Sequence, residues 1–453
     1  MRPVVSGSPS KRSASGAVAL PVLLALTSCA SIVGIGDVPG GDSSTGPGLH
    51  VDGGSSHHDS GFVIPGRDSS QPGFDTSRPG IDSSQPGFDV TQPGQDTGVA
   101  SGDGGLGYAA SNIGAKTFDP TVTGPLTLRG DNCRVYTEYP DPEGITCDSG
   151  QNPPQDVFAV DLPDGAGKAV IYVFTYVFID NMSALQVTGP YPLIIVALGS
   201  VDIAGSIDAS ADVFDQYTPV IPGERLTGPG VGAFNNGGPQ GGGGGSFCGI
   251  GGTGAMGQGA AAGKSAPGMA YGSATLVPLW GGSPGGGANI GGADQVNGNG
   301  GGAIQISAMM NITLEATGYI SVNGSGGVSG GDQSGAGGGS GGAILLEAPT
   351  VTVKGILEAN GGEGSDNNMD GEAPPSDGGV AKEPGDEGGR GSGGSQINGG
   401  PGQMATGAGG GEVGYGAGGG GAGRIRINAT HATLEGDITP SLGSACATQG
   451  PLP

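Results

Sequence analysis

Between Gly341 and Gly362 the chain reads GGAILLEAPTVTVKGILEANGG, a run in which apolar residues take alternate places and glycines stand at both ends. Alternate side chains of a strand share one face. Ile344, Leu346, Ala348, Val351, Val353, Leu357 and Ala359 therefore mark the dry side of three short strands joined by tight corners. Relatives of the unit stand at 301–324 (GGAIQISAMMNITLEATGYISVNG), 422–441 (AGRIRINATHATLEGDITPS) and 192–210 (PLIIVALGSVDIAGSIDAS), with a looser copy at 170–189. The same places hold Ile304, Ile306, Ala308, Ile312, Leu314, Ile320 and Val322 in one copy, and Ile194, Val196, Leu198, Val201, Ile203, Ile207 and Ala209 in another. One such unit cannot bury its apolar face alone, so neighbouring copies must stack, strand over equivalent strand about 4.8 Å apart. The expectation is an all-β chain, a parallel β-helix or solenoid with Ile194, Ile304, Ile344 and Ile425 in one interior. A β-sandwich of the same strands is the alternative. It is disfavoured because the Asn-Gly pairs lead into glycine tracts and not into a returning strand.

The polar half of the pattern, Gln305, Ser307, Thr313, Glu315, Thr352, Lys354, Glu358, Arg424 and Arg426, is expected to face water. Between the copies lie glycine tracts, the longest at 227–302 and 361–423. With 104 glycines and 34 prolines among 453 residues, the composition approaches that of disordered chains. The strands argue for a fold, with the tracts leaving it at one corner. Flexible coil and extended, polyproline-II-like segments lying together are both open to the tracts.

Residues 1–28 carry Arg2, Lys11 and Arg12, then the apolar run AVALPVLLALTS, too short to span a bilayer, and Cys29 follows directly. This resembles a bacterial lipoprotein signal. The resemblance implies cleavage before Cys29 and lipid on its sulfur; with no aspartate just after Cys29, it implies the outer membrane. Residues 29–105 read as a disordered tether with a seven-residue repeat, whose prolines are Pro65, Pro72, Pro79, Pro86 and Pro93 and whose aspartates repel one another. Too little apolar surface is present there to offset the entropy of ordering, and proline in every repeat forbids a coiled coil. Residues 106–168 are expected to cap the solenoid, which takes 169–441, and residues 442–453 to form a tail that blunts its far end.

Once Cys29 carries lipid, Cys133, Cys147, Cys248 and Cys446 remain, an even number in an oxidising compartment. Three pairings are open. Cys133 with Cys147 is the pair nearest in sequence, which would leave Cys248 with Cys446. No CxxC spacing points to zinc. The formal charge of −25 makes nucleic acid and anionic polysaccharide poor partners unless a cation bridges.

Asp366, Asn368, Asp370 and Gly371 occupy places 1, 3, 5 and 6 of an EF-hand-type loop, and Asp377 stands where its closing glutamate would be. Three oxygens could thus converge on one calcium ion. Pro374 and Pro375 interrupt the loop and flanking helices are missing, so a solvated acidic loop is the other reading. The string GQGAAAGKSA at 257–266 fails as a phosphate loop, because Gly257 and Gly259 stand either side of the place where glycine is required. His50, His57, His58 and Asp59 lie in the tether, where no rigid frame would sharpen metal binding. His431 stands alone. Trp280 and Tyr271 suit either a sugar-stacking platform or an apolar anchor for the long insertion. Asp202, Asp208, Glu315, Glu347 and Glu358 are spread through the repeats, and Arg424 with Arg426 is the nearest approach to a basic pair.

The cysteine signal, the tether and the units GGAIQISA, GGAILLEAPTVTVKGILEANGG and YPLIIVALGSVDIAGSIDAS together resemble a group of glycine-rich repeat lipoproteins abundant in myxobacteria. The likeness covers about residues 20–35 and 165–440. It implies envelope placement and the solenoid, and it brings no catalytic residue. The expected function is that of a non-enzymatic, lipid-anchored surface scaffold, structural or adhesive. Its partners would be the membrane, through Cys29, and surface polysaccharide or matrix; its one candidate cofactor is calcium. A carbohydrate-active β-helix, lyase or hydrolase, or a calcium-dependent glycan-binding module is the alternative. A groove gathering two or more carboxylates with Lys or Arg on one face would favour the enzyme.

Overall fold

A computed structural model of the chain describes residues 105–119, 123–138, 144–150, 156–211, 230–233, 241–254, 265–287, 297–327, 335–365 and 416–453. Within these the protein is all-β, with one short 3-10 turn at Pro163–Gly165. The strands form two curled sheets of eleven and seven strands.

Each copy of the repeat supplies three strand segments, and equivalent segments pair in parallel. The first row of the larger sheet runs from Lys168–Phe174 through Leu193–Ala197 and Ala303–Ala308 to the opening halves of Ala343–Val353 and Arg424–Leu434, then to Ala447–Gly450. The second row joins Leu126–Leu128, Val177–Ile179, Val201–Ile203 and Asn311–Leu314 to the closing halves of the same two long strands. In those two copies the first and second strands run on as single strands of 11 residues, where three separate short strands were expected. The third row is the smaller sheet: Asn132–Tyr136, Ala184–Thr188, Ser206–Asp208, Tyr319–Ser321, Ile356–Glu358 and Asp437–Thr439. Two antiparallel strands flank the beginnings of these rows, Asp156–Asp161 on the first and Ile145–Cys147 on the third. Ala447–Gly450, in the expected tail, pairs the far end of the first row.

The inward residues of the copies at 301–324 and 341–362 all join one buried cluster, which also holds Ile425 and Ile427. The upstream copy departs from expectation in its first strand. Leu193, Ile195 and Ala197 stand in register with Ile304, Ile306 and Ala308 and share their cluster. Ile194, Val196 and Leu198 point the other way, into a second cluster with Phe247, Leu276 and Leu279. Every residue of Leu193–Ala197 is buried. A strand covered on both faces reads as an unbroken apolar run, and its alternation cannot show which face is inward.

The cover over that outer face is built from residues 105–118, which precede all the copies, and 265–287, which lie between the second and third of them. Leu106, Ala110, Ile113 and Phe118 lie in the second cluster with Leu276, Leu279 and the outward Ile171, Val173 and Leu345. Gln305 and Ser307, expected at the surface, are therefore fully buried. Residues 105–118 accordingly lie over the middle of the larger sheet, whereas Leu126–Leu128, Ile145–Cys147 and Asp156–Asp161 lie at sheet ends.

The described parts of the glycine tracts form a second interior. Residues 335–342 run through its middle, bordered by 241–246, 282–287, 297–301, 323–327, 359–365 and 416–423. Their hydrogen bonds advance in steps of three: Gly242 and Gly245 donate to the carbonyls of Gly335 and Gly338, while Gly338 and Gly341 donate to Gly418 and Gly421. Gly337 and Ser340 likewise donate to Gly286 and Ser283, and accept from Gly298 and Gly301. A three-residue period is that of the polyproline-II helix, which has no internal hydrogen bonds and so offers every peptide group to a neighbour. The segments are extended and lie together. Glycine is required by proximity: a methyl on Gly338 would run into the Gly362 carbonyl, and one on Gly339 into that of Asn299.

Two disulfides close the molecule. Cys133–Cys147 links two neighbouring antiparallel strands. Cys248–Cys446 ties the glycine bundle to the C-terminal strand across 198 residues of sequence.

Candidate functional site

The register of the first row sets Gln305, Leu345 and Arg426 side by side, and next to them Ser307, Glu347 and Asn428. Beneath the covering segment these polar side chains make one network centred on the Glu347 carboxylate. Its Oε2 accepts from the Ser111 amide at 3.1 Å, Gln305 Nε2 at 3.0 Å and Ser307 Oγ at 3.2 Å. Its Oε1 accepts from Ser111 Oγ and from Asn428 Nδ2 at 2.9 Å. Asn112 continues the network, donating to Gln305 Oε1 and to the Leu276 carbonyl at 2.9 Å each and accepting from the Leu279 amide. Tyr108 donates to the carbonyls of Glu347 and Ala308, and burial followed by the Glu347 charge pushes its hydroxyl well above the ordinary tyrosine range. Burial holds the Arg426 guanidinium below its usual value, an effect that Glu347 offsets. A carboxylate surrounded by so many donors is satisfied where it stands. It acts as a clasp between residues 108–112 and the middle of the sheet.

On the second row Asp202, Glu315 and Lys354 gather on one face. Lys354 Nζ meets Glu315 Oε2 at 3.2 Å. Asp202 Oδ1 is buried with no partner among the described residues, and its carboxyl is raised above the usual range, first by burial and then by the charge of Glu315, with Lys354 opposing. The register across Val201–Ile203 and Asn311–Leu314 brings these side chains together from positions far apart in sequence.

Along the third row Arg134, Gln186, Asp208, Ser321, Glu358 and Thr439 stand in line across six strands. Arg134 donates to Gln186 Oε1 from Nε and Nη2, at 3.2 and 2.9 Å. Ser321 Oγ donates to Asp208 at 2.6 Å, and Tyr319 and Asn323 donate to Glu358 Oε2 at 2.6 and 3.0 Å. Burial, reinforced by Glu358, raises the Tyr319 hydroxyl beyond its ordinary range. At the beginning of the row, beside the Cys133–Cys147 hairpin, the surface sinks into a cleft of about 520 Å³.

Other sequence candidates fall into place around these faces. Tyr271 packs between Phe247 and Trp280, with ring centroids 4.7 and 5.8 Å away, and its hydroxyl donates to the Gly281 carbonyl. Arg424 lies 5.5 Å over the Phe247 ring and donates to the Tyr271 carbonyl. Tyr271 and Trp280 thus anchor the insertion to the sheet. Asp131 lies close to both Cys133 and Cys147, but the two sulfurs are bonded to each other and Asp131 accepts from Ser149, which leaves no metal-ligand set. His431 is exposed on Arg424–Leu434. Cys29, the tether histidines and the calcium candidates Asp366, Asn368, Asp370 and Asp377 lie outside the described residues. Sequence reasoning missed Tyr108, Ser111, Asn112, Asn428 and Arg134 as site residues. One signal was present: Ile194-x-Val196 becomes Gln305-x-Ser307, Leu345-x-Glu347 and Arg426-x-Asn428 in later copies, a polar patch growing on a strand that begins apolar.

Among the described residues no helix is long and apolar enough to cross a membrane. Comparison with family models, with curated proteins and with solved structures finds no match.

Proposed function

We propose that this chain is a lipid-anchored protein of the outer membrane whose folded part winds as a parallel β-solenoid and serves as a non-enzymatic structural or adhesive scaffold at the cell surface. The solenoid reading is supported by parallel pairing of successive copies in the same order along three rows of strands. The observation that carries the scaffold reading is the Glu347 network. There, among the described residues, a large gathering of polar side chains is bound to the protein itself, with both Glu347 oxygens satisfied and the cover held to the sheet. The two disulfides suit an exported chain. The signal-like stretch ending at Cys29 and the acidic Pro-Gly tether fit lipid attachment with the folded part held off the membrane. Metabolic labelling with a fatty-acid analogue should mark the parent and miss Cys29→Ala, and antibody should reach the folded part on intact cells. An unlabelled parent, or a chain that antibody reaches only after lysis, removes the reading.

The Asp202, Glu315 and Lys354 group favours a second reading, a carbohydrate-active enzyme. A carboxyl pushed upward by burial beside a carboxylate paired with lysine resembles the two differing carboxyls of a glycoside hydrolase. Release of reducing ends from polysaccharide, abolished by Asp202→Asn and by Glu315→Gln, would establish it; a parent protein without such release rejects it. A calcium-dependent variant of the scaffold rests on Asp366, Asn368, Asp370 and Asp377 and predicts a calcium-induced rise in melting temperature that Asp370→Ala loses.

A further inference from the structure

We infer that the cleft at the beginning of the third row is a binding site for an uncharged polysaccharide chain. This deepens the surface-scaffold reading and rests on it, since it names what the scaffold would hold.

The cleft has the volume of an ordinary small-ligand site, about 520 Å³. Its lining is mixed: Asn132, Arg134, Thr146, Asp148, Gln186 and Asp208 supply donors and acceptors, beside about as much apolar surface from residues such as Tyr136 and Ala184. A ligand that matches such a lining carries groups that both donate and accept on an otherwise apolar ring, which describes the hydroxyls and C–H faces of a sugar. Arg134 against Asp148 and Asp208 leaves the cleft with one negative charge in excess, and the chain as a whole is strongly acidic, so a polyanion is disfavoured.

The site is held in shape before any ligand arrives. Asn132, Arg134, Gln186 and Asp208 stand on paired strands, and the Cys133–Cys147 bond locks the hairpin that forms one wall. Arg134 grips Gln186 Oε1 through Nε and Nη2. Nη1 of Arg134 and Nε2 of Gln186 have no partner among the described residues, which leaves donors on a rigid floor. Preorganised donors of this kind cost a ligand little ordering entropy.

The cleft also has a direction. Arg134, Gln186 and Asp208 stand in line across three strands, and beyond them Ser321 is buried. Three strands at about 4.8 Å spacing give a polar track of about 10 Å, long enough for about two sugar units laid across the strands. A peptide adding to a sheet would run along the strands and need a free edge, whereas this face offers side chains across them.

The test uses the whole chain purified in detergent, titrated with neutral hexose oligosaccharides and, separately, with uronic-acid oligosaccharides. Neutral oligosaccharides should bind, more tightly as they lengthen, with little dependence on salt. Arg134→Ala and the near-isosteric Gln186→Met should each weaken binding about tenfold or more with melting temperature unchanged, while Lys354→Ala, on another row, should leave it alone. Absence of binding by every neutral oligosaccharide overturns the inference. So does a preference for uronates, binding that survives both cleft variants, or variants that alter only self-association, which would place a second copy in the cleft. Antibody access on intact cells is read separately, so a surface-exposed protein that binds no glycan fails only the cleft, and a glycan binder hidden from antibody fails only the placement.

Discussion

The paired sheets and the glycine bundle lie in one molecule and solve the same problem in opposite ways. Between the sheets, isoleucine, leucine and valine fill the interior, and the backbone ladders are kept apart by side chains. In the bundle there are almost no side chains, and peptide groups are themselves the buried material. The first interior is stabilised by apolar area removed from water. The second has little such area; its requirement is that each buried N–H find a carbonyl, because an unpaired one costs about 1–3 kcal/mol. A side-chain interior accepts exchanges of similar volume. A backbone interior has no smaller residue than glycine to fall back on.

That contrast can be broken at single positions. Leu346→Ala, fully buried between the sheets, should lower unfolding free energy by about 2–5 kcal/mol in denaturant titrations, while Leu346→Met should cost less than about 1.5 kcal/mol. Equal losses from the two would mean that shape and not buried volume governs the sheet core. Gly338→Ala should cost about 1–3 kcal/mol although it adds only a methyl group, since that methyl meets the Gly362 carbonyl. A Gly338→Ala protein as stable as the parent would show that the bundle is loosely packed, and would end the contrast. Glu347→Gln replaces an acceptor oxygen by an NH2 group among donors. It should cost about 1–2 kcal/mol and speed proteolysis near residues 105–118; unchanged proteolysis would mean the cover is held by its apolar residues alone.

The smallest effect concerns pH. Because the Asp202 carboxyl is raised above its ordinary value in the folded chain, its favourable share is complete at low pH and is lost as pH rises through the raised value. Asp202→Asn should therefore melt slightly higher than the parent at pH 7 and no higher at pH 3. A variant with the same offset at both pH values would mean that Asp202 is not strained by its surroundings.

Much of the sheet core could be read from alternation. Ile304, Ile306, Ile344 and Leu346 are inward in the sequence pattern and inward in the structure. The same pattern failed at Leu193–Ala197, where every residue is buried and a choice of frame one residue off exchanges Ile194 for Ile195. It failed also at Gln305, Ser307 and Glu347, which are polar and yet inaccessible. Polar identity reports that a side chain has hydrogen-bonding partners, not that those partners are water.

The amino-acid order by itself settled the β character of the folded region, the positions of the repeats and the inner face of most strands, because a two-residue period is a local property of the chain. It also limited the glycine tracts to coil or extended segments. Tertiary structure alone decided that the tracts pack as a hydrogen-bonded bundle and that one outer face is roofed while another stays open as a cleft. Those outcomes depend on partners that lie far away in the chain, such as Ser111 with Glu347 and Cys248 with Cys446. No periodicity encodes such meetings, since what buries a side chain there is a segment that the local pattern does not contain.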